Sequence, residues 1–344
     1  MPSRERRKRI SWLAANKRWL PVRLLAVVSA LALTSMIAWA ETPVPEAPNT
    51  APPETTTASP LGPSATPPTT TPTRTVIRAP SPTDELNTLL MHSTFLIVGP
   101  TNVPNRISFG TVFLMGIPYK DDPKIAHIVV VTAAHVFEGI SGDTATLQLR
   151  RRNAEGTYAT FPYQFPIRKN GQPLYVRHPT ADVAAMYGDI PDEVPMTGLS
   201  PDSLVTDKSL EEIEFHPGDE AHILGFPAMV GTEGGFPIMR VGRIASYPLT
   251  PMKVVKQWAF DAHVFNGNSG GPVYFTSVNR FFKHNVHFGV VQGVLGLVIQ
   301  EGHSNLPEFA NRDLDYGVVV PAQFIRETLD MLPAPPDEAT GSVK

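Results

Sequence analysis

The 344-residue chain contains no cysteine. That single absence excludes a disulfide framework, a thiolate metal site and a cysteine nucleophile. It also lacks any large excess of one charge. The formal net charge is −3, so the balance gives no reason to expect a nucleic-acid partner. What it does have is ample apolar material: 42% of residues are hydrophobic, enough for a sizeable core. Small exported domains often lean on disulfides, but about 250 residues of β structure bury enough surface to do without them. An exported chain without cysteine fits a bacterial envelope better than an animal secretory pathway.

Export is readable at the N-terminus. Arg4, Arg6, Arg7, Lys8, Arg9, Lys17, Arg18 and Arg23 stand against the lone Glu5, and the uncharged run Leu24 to Ala40 follows. The run closes on Ala38-Trp39-Ala40, a small-x-small signal-peptidase pattern. Its 17 residues are long for a signal core and short for a membrane span. Residues 1–40 are therefore expected to be a signal peptide or an N-terminal membrane anchor, with residues 24–40 the candidate tether. Both readings place the rest of the chain outside the cytoplasmic membrane, whether periplasmic, secreted or anchored.

Residues 41–82 hold 12 of the 36 prolines, interleaved with Thr, Ser and Ala. So little apolar surface cannot offset the ordering of the backbone, and a disordered, extended linker is expected. From Thr83 the text turns strand-like, with β-branched or aromatic runs between turn signals. Six runs are Ser93–Val98, Phe109–Met115, Ile125–Thr132, Thr144–Arg150, Tyr158–Phe165 and Leu174–Val176. Six more are Glu220–Leu224, Met239–Ser246, Trp258–Val264, Pro272–Thr276, Val286–Gln292 and Tyr316–Val320. Two sets of about six strands predict an all-β architecture. One late helix is expected: Pro321 suits a first turn, and Ile325, Leu329 and Leu332 share a face. Residues 334–344 read as a flexible tail, with no room left for a second binding domain.

Three segments carry chemistry. Val129-Val130-Val131-Thr132-Ala133-Ala134-His135 is a buried strand running into a histidine, with two small residues that let the chain turn closely. His178-Pro179-Thr180-Ala181-Asp182 sets one carboxylate before an apolar run, where it must be paired or hydrogen-bonded to stay ionised, a loop cap being the plainer role for it alone. Gly267-Asn268-Ser269-Gly270-Gly271-Pro272 frames a serine with glycines that free the backbone and leave the hydroxyl accessible. A serine attacks a carbonyl only when an imidazole takes its proton and a carboxylate orients that imidazole. Backbone N–H groups must also receive the oxyanion.

Thr-Ala-Ala-His, then Asp-Val-Ala, then Gly-Asn-Ser-Gly-Gly-Pro, in that order, resembles the trypsin-like (chymotrypsin-fold) serine protease family. The variant is the cysteine-free bacterial HtrA-like sort, without a PDZ domain. The likeness covers about Asn87 to Leu332 and implies two six-stranded antiparallel β-barrels with a C-terminal helix. The protease domain would be 83–333, with an N-barrel at about 83–198 and a C-barrel at about 199–333. It implies a serine endopeptidase with His135 as general base, Asp182 as its orienting partner and Ser269 as nucleophile. Gly267 and Ser269 would supply the oxyanion-hole N–H groups, and no cofactor or metal is implied. The partners are protein or peptide substrates. A non-catalytic peptide-binding module, or an esterase with the same triad, is the alternative.

The likeness also places the specificity pocket, with His263 at its base and walls from Val290, Val291, Gln292, Gly293 and Val294. With Val294 where glycine is common and no carboxylate apparent, a shallow pocket for a small or medium aliphatic side chain is expected. Gln292 would lie beneath Asp182. Asn268 stands where zymogen members carry an aspartate for a new ammonium, so activity without proteolytic maturation is expected. Ile97-Val98-Gly99 then reads as an ordinary first strand.

Other features carry less. His284 and His287 would face opposite sides of a strand, with no third ligand evident. Asn311-Arg312-Asp313-Leu314-Asp315 lacks the glycine and final glutamate of a calcium loop. Gly231-Thr232-Glu233-Gly234-Gly235 has no lysine and is expected to be a flexible loop near the site. Arg150-Arg151-Arg152 reads as an exposed hairpin tip.

Overall fold

The computed structural model describes residues 77–78, 85–119, 125–196, 198–303 and 313–335. The expected signal or anchor, most of the linker and residues 336–344 of the tail lie outside the described residues. No helix among the described residues is long and apolar enough to cross a membrane.

All twelve expected runs overlap strands, because β-branched and aromatic residues fit a pleated, half-buried surface. The first half comprises β1 (Ile77–Arg78), α1 (Leu86–Ser93), β2 (Thr94–Pro100), β3 (Ile107–Pro118), β4 (Ile125–Thr132), α2 (Ala134–Gly139), β5 (Thr144–Arg152) and β6 (Tyr158–Pro166). The short strands β7 (Arg168–Lys169), β8 (Gln172–Pro173), β9 (Val176–Arg177) and β10 (Ala184–Tyr187) follow. They form an eight-stranded antiparallel sheet in the order β6-β5-β2-β3-β4-β10-β9, with β1 on β4 and β7–β8 a separate hairpin. The expected six strands are thus eight, and the ladder between described residues runs from β6 to β9 without closing. β6 is suited to an edge, since along it only Phe165 is buried.

The second half comprises α3 (Asp207–Glu212), β11 (Glu220–Gly225), β12 (Ile238–Ile244), β13 (Trp258–Asp261), β14 (Pro272–Phe282), β15 (Asn285–His303), β16 (Asp313–Pro321) and α4 (Ala322–Asp330). Its six strands close into a barrel, β11-β12-β13-β16-β15-β14. Trp258, Phe260, Tyr274, Leu297, Val298 and Val319 on its strands are almost wholly buried. The expected helix is α4. It buries Ala322, Phe324, Ile325, Thr328 and Leu329, and Pro321 caps it from just outside the first turn.

Three features depart from the sequence reading. Ile77 and Arg78 lie within the expected linker yet pair antiparallel with Ala126 and Ile125, at the part of β4 that β10 leaves free. α1 was not foreseen, because only Leu86 and Leu90 mark its inner face. Its start is held by the Glu85 carboxylate, which accepts from the Asn87 and Thr88 N–H groups.

Arg150 is no hairpin tip. It is 2% exposed, and it donates to the carbonyls of Thr94, Met91, His92 and Gly235 at 2.9–3.1 Å. Its guanidinium lies 4.1 Å from the Phe95 ring centre and 4.5 Å from that of Phe236. Burial pulls it down to about 9, Tyr158 opposes that, and it remains a cation at neutral pH. Planar, weakly hydrated and rich in donors, arginine suits a site with four carbonyls and no carboxylate. The Gly231–Gly235 loop is tied down by it. Arg150→Met would strand those carbonyls and lower stability by about 3 kcal/mol. The check is the midpoint of denaturant unfolding, and an unshifted midpoint would refute the role.

Candidate active site

β4 delivers His135. Ala133 and Ala134 are fully buried after Thr132, and His135 is the second residue of α2, its side chain 46% exposed. Asp182 lies just before β10, which pairs with β4 from Ala184↔Thr132 to Tyr187↔Val129. That pairing brings the two residues together across 47 positions of sequence. Asp182 Oδ2 lies 2.6 Å from His135 Nδ1, and Oδ1 accepts the His135 backbone N–H at 3.0 Å. One carboxylate thus fixes both the ring and the main chain. With the Nδ1 proton given to Asp182, Nε2 carries the free lone pair.

Burial acts to raise the Asp182 pKa. The hydrogen bonds from the His135 ring and backbone, the charge of the imidazole and that of Arg177 outweigh burial and hold it below the ordinary carboxylate value.

Ser269 comes from the loop between β13 and β14. Its carbonyl accepts the Thr111 N–H at 2.8 Å, which ties the loop to β3. The Thr111 hydroxyl donates to the Gly267 carbonyl at 2.6 Å and accepts from the Phe226 N–H at 3.2 Å. The Thr111 carbonyl in turn accepts from Thr132 Oγ1 at 2.7 Å. Fully buried, Thr111 therefore anchors the serine loop and the strand end that leads to His135. The close approach needs glycine. A methyl on Gly270 (φ 85°) would lie 3.0 Å from the Ala133 nitrogen, and one on Gly267 (φ 99°) would strike the Phe226 carbonyl. A methyl on Gly110 would lie 3.1 Å from the Ser269 carbonyl oxygen and 2.7 Å from Val136. The Ser269 backbone thus packs beside the residues that flank His135.

The hydroxyl itself points elsewhere. Ser269 Oγ donates to the Ile299 carbonyl at 3.1 Å, and no hydrogen bond joins it to His135. The N–H groups of Gly267 and Ser269 make no hydrogen bond to another described residue. Gly270 N–H and Val298 N–H bond reciprocally to Val298 and Gly271 carbonyls, which locks the loop to β15.

The expected pocket walls are misplaced by most of a strand. Val290 and Val291 pair with Val278 and Ser277, near the far end of β14 from Ser269. At about 3.3 Å per residue that is on the order of 25 Å away. Val294 is fully buried beside Leu204, and Gln292 Oε1 accepts the Leu86 N–H at 3.0 Å rather than supporting Asp182. Gly293 packs against Val205 and Phe275. The stretch of β15 that meets Ser269 is Ile299, with Gln300 and Glu301 beyond it beside Val318 and Gly317. His263 lies on the serine loop, and a carboxylate does face it: Asp315 Oδ1 is 2.5 Å from its Nδ1. Neither premise of the aliphatic preference holds. Ile97, for its part, is fully buried in β2 and paired on both sides, with Gly110 and Leu147.

Sequence reasoning missed Thr111 and Ile299. For Thr111 the trace was there: a hydroxyl directly after a glycine, at the head of the apolar run Val112–Met115. Ile299 shows nothing in sequence, since only its carbonyl matters.

The described residues thus form an all-β architecture in two sets of strands: an antiparallel sheet bearing a histidine–aspartate pair, then a six-stranded barrel bearing the serine loop. Neither a family model nor a curated protein sequence matches the chain. Solved structures do. A serine endoprotease from Yersinia pestis is 13% identical with a TM-score of 0.38, the match covering 73% of this chain and 66% of that one. The chain thus spans just under two thirds of that protein's length. A protease from M. tuberculosis, in its active form, is 17% identical with a TM-score of 0.40, covering 78% of this chain and 92% of that one.

Two outcomes follow from the geometry. Thr111→Val keeps shape but strands the Gly267 carbonyl and Phe226 N–H, at a cost of about 2 kcal/mol. Thermal unfolding checks it, and a loss under about 0.5 kcal/mol would mean that the hydroxyl is not the anchor. The second concerns pH. Folding lowers the Asp182 pKa, so the unfolded chain binds more protons as pH falls below the ordinary value of 3.8. The stability contributed by the pair is present above that value and is lost as pH falls through the folded pKa. Denaturation midpoints measured from pH 6 downward should therefore drop more steeply for the parent than for Asp182→Asn; parallel curves would contradict the pairing.

Proposed function

We propose that the chain is a serine endopeptidase that hydrolyses peptide bonds through an acyl-enzyme. The observation that carries this reading is the double hold of Asp182 on the ring and the backbone of His135, with the glycine-framed Ser269 loop anchored beside it through Thr111. Ser269 Oγ leaves the Ile299 carbonyl, gives its proton to His135 Nε2 and attacks the scissile carbonyl carbon. Asp182 stabilises the imidazolium, and the Gly267 and Ser269 N–H groups receive the oxyanion. His135 then protonates the leaving amine. Water, activated by the same ring, cleaves the ester and restores the serine. The substrates are extended protein or peptide segments, and no cofactor enters the scheme. The basic segment and apolar run of residues 1–40 support a site of action outside the cytoplasmic membrane, with residues 24–40 as the tether where they are retained.

One observation favours a second reading. The Ser269 hydroxyl is engaged by Ile299, not by His135, as a peptide-binding module without turnover would have it. A fluorophosphonate probe separates the two. The full-length protein should label, Ser269→Ala should not, and His135→Ala should label slower by on the order of 10³-fold. A folded parent that resists the probe would move the assignment to the binding module.

A further inference from the structure

A second histidine stands behind the first. His178 is 5% exposed and begins the turn that ends at Asp182. Its Nδ1 accepts from two backbone N–H groups of that turn, Thr180 at 3.2 Å and Ala181 at 3.0 Å. A nitrogen that accepts twice carries no proton, so the proton is on Nε2, and the network assigns the tautomer. Nε2–H then donates to Glu327 Oε2 of α4 at 3.0 Å. The backbone closes the same turn from outside: His178 N–H bonds the Val183 carbonyl at 2.9 Å, and Val183 N–H bonds Ala181 at 3.0 Å.

Glu327 is itself held. The hydrogen bond from Gln323 keeps it below the ordinary carboxylate range, burial opposes this, and His178 and Lys253 add to the lowering. It is therefore an anion at the end of a fixed ring. Phe324, one turn earlier on α4, meets the His178 ring edge-on at 5.2 Å.

We propose that His178 is a positioning residue for the reaction assigned above: it sets the turn that presents Asp182 to His135, and it couples that turn to α4 through Glu327. A histidine buried only for packing would not give its acceptor nitrogen to the two N–H groups immediately before the orienting carboxylate. The chain Glu327–His178–Thr180/Ala181–Asp182–His135 is continuous, each link a hydrogen bond of 2.6–3.2 Å or a peptide bond. A shift of the turn by about 1 Å would misalign Asp182, and misplacement of that size costs on the order of 10²-fold in rate.

The two nitrogens can be tested separately because amides mimic them one at a time. His178→Asn sets an oxygen where Nδ1 lies, so it can still accept from the turn, but it cannot reach Glu327. His178→Gln places an amide where Nε2 lies, so it keeps Glu327 and loses the turn. The proposal rests on the endopeptidase reading, so two readouts are taken on the full-length protein. The first is fluorophosphonate labelling split into a binding constant and a maximal rate. The second is the low-field proton resonance of the His135–Asp182 hydrogen bond. His178→Gln should lower the maximal rate by about tenfold or more, with binding unchanged, and shift the resonance; His178→Asn should stay within about threefold of the parent. Equal losses in both variants, or losses that follow melting temperature alone, overturn the proposal, as does an unshifted resonance in His178→Gln. Should a His178 variant fail to fold, Glu327→Ala reads the link from α4, and parental rate and resonance there overturn it. The resonance reports whether or not the protein labels. An unreactive parent therefore sinks the enzymatic reading while the positioning test stands.

Discussion

Thr111 makes four hydrogen bonds with three of its groups, and the arrangement of the candidate site depends on them. Its N–H holds the Ser269 carbonyl, its hydroxyl bridges the Gly267 carbonyl and the Phe226 N–H, and its own carbonyl receives Thr132. Thr132 lies three residues before His135, so His135 and Ser269 are both referenced to one buried residue. Each bond contributes only about 1 kcal/mol net, but leaving any of them unmade in the interior costs more than making it gains. That asymmetry makes the geometry discrete. A loop displaced by an ångström would strand several buried groups at once, and the glycines at 267 and 270 exist in positive-φ conformations that no other residue would take without strain.

Legibility in the sequence followed how local each determinant is. Strands whose register depends on their own β-branched runs were readable: Ile125–Thr132 is recovered to the residue. The His135–Asp182 pair was readable too, but only through the resemblance carried by Thr-Ala-Ala-His and Asp-Val-Ala, since neither residue alone distinguishes a pair from a structural histidine and a loop cap. β15 was not. It runs for 19 residues from Asn285 to His303, interrupted by Gly289, Gly293 and Gly296, and the apolar text before Gly293 looked like a complete strand. Placing the pocket walls by likeness at Val290 to Val294 put them about nine residues too early. What fixes the true register is nonlocal: Gly296 sits opposite Pro321, where a side chain would strike the Val320 carbonyl. Arg150 failed for a similar reason. Three arginines in a row look solvated, but the first, on the face of β5 opposite Leu147 and Leu149, is covered by carbonyls and two aromatic rings from elsewhere in the chain.

The Ser269 hydroxyl illustrates why a motif and a mechanism are different things. Gly-Asn-Ser-Gly-Gly-Pro determines where the backbone goes, since its glycines permit close packing against β3, β11 and β15. It leaves the serine side chain a rotor, which rests on the Ile299 carbonyl. A neutral hydroxyl–carbonyl bond contributes about 1 kcal/mol net. Exchanging it for one to an imidazole is a small step beside the barrier to acyl transfer. The orientation seen therefore does not oppose the proposed endopeptidase reading, under which the energetic demand would fall on the carboxylate, the ring and the Gly267 and Ser269 N–H groups.

Those fixed parts are joined across the molecule by polar ties. Thr111 links the first sheet to the serine loop, Arg150 links it to the Gly231–Gly235 loop, and His178 links the Asp182 turn to α4. Apolar burial supplies most of the cohesion, yet it is non-directional and tolerates sliding by fractions of an ångström. Hydrogen bonds to buried carbonyls and N–H groups do not tolerate it, because their strength falls steeply with angle and distance. A site assembled from a sheet, a barrel and a terminal helix needs its register set at each junction. In this chain each of those junctions carries a buried polar side chain whose partners are mostly main-chain groups. Main-chain partners cannot relax by changing rotamer, which is what holding Ser269 and His135 in place from different elements requires.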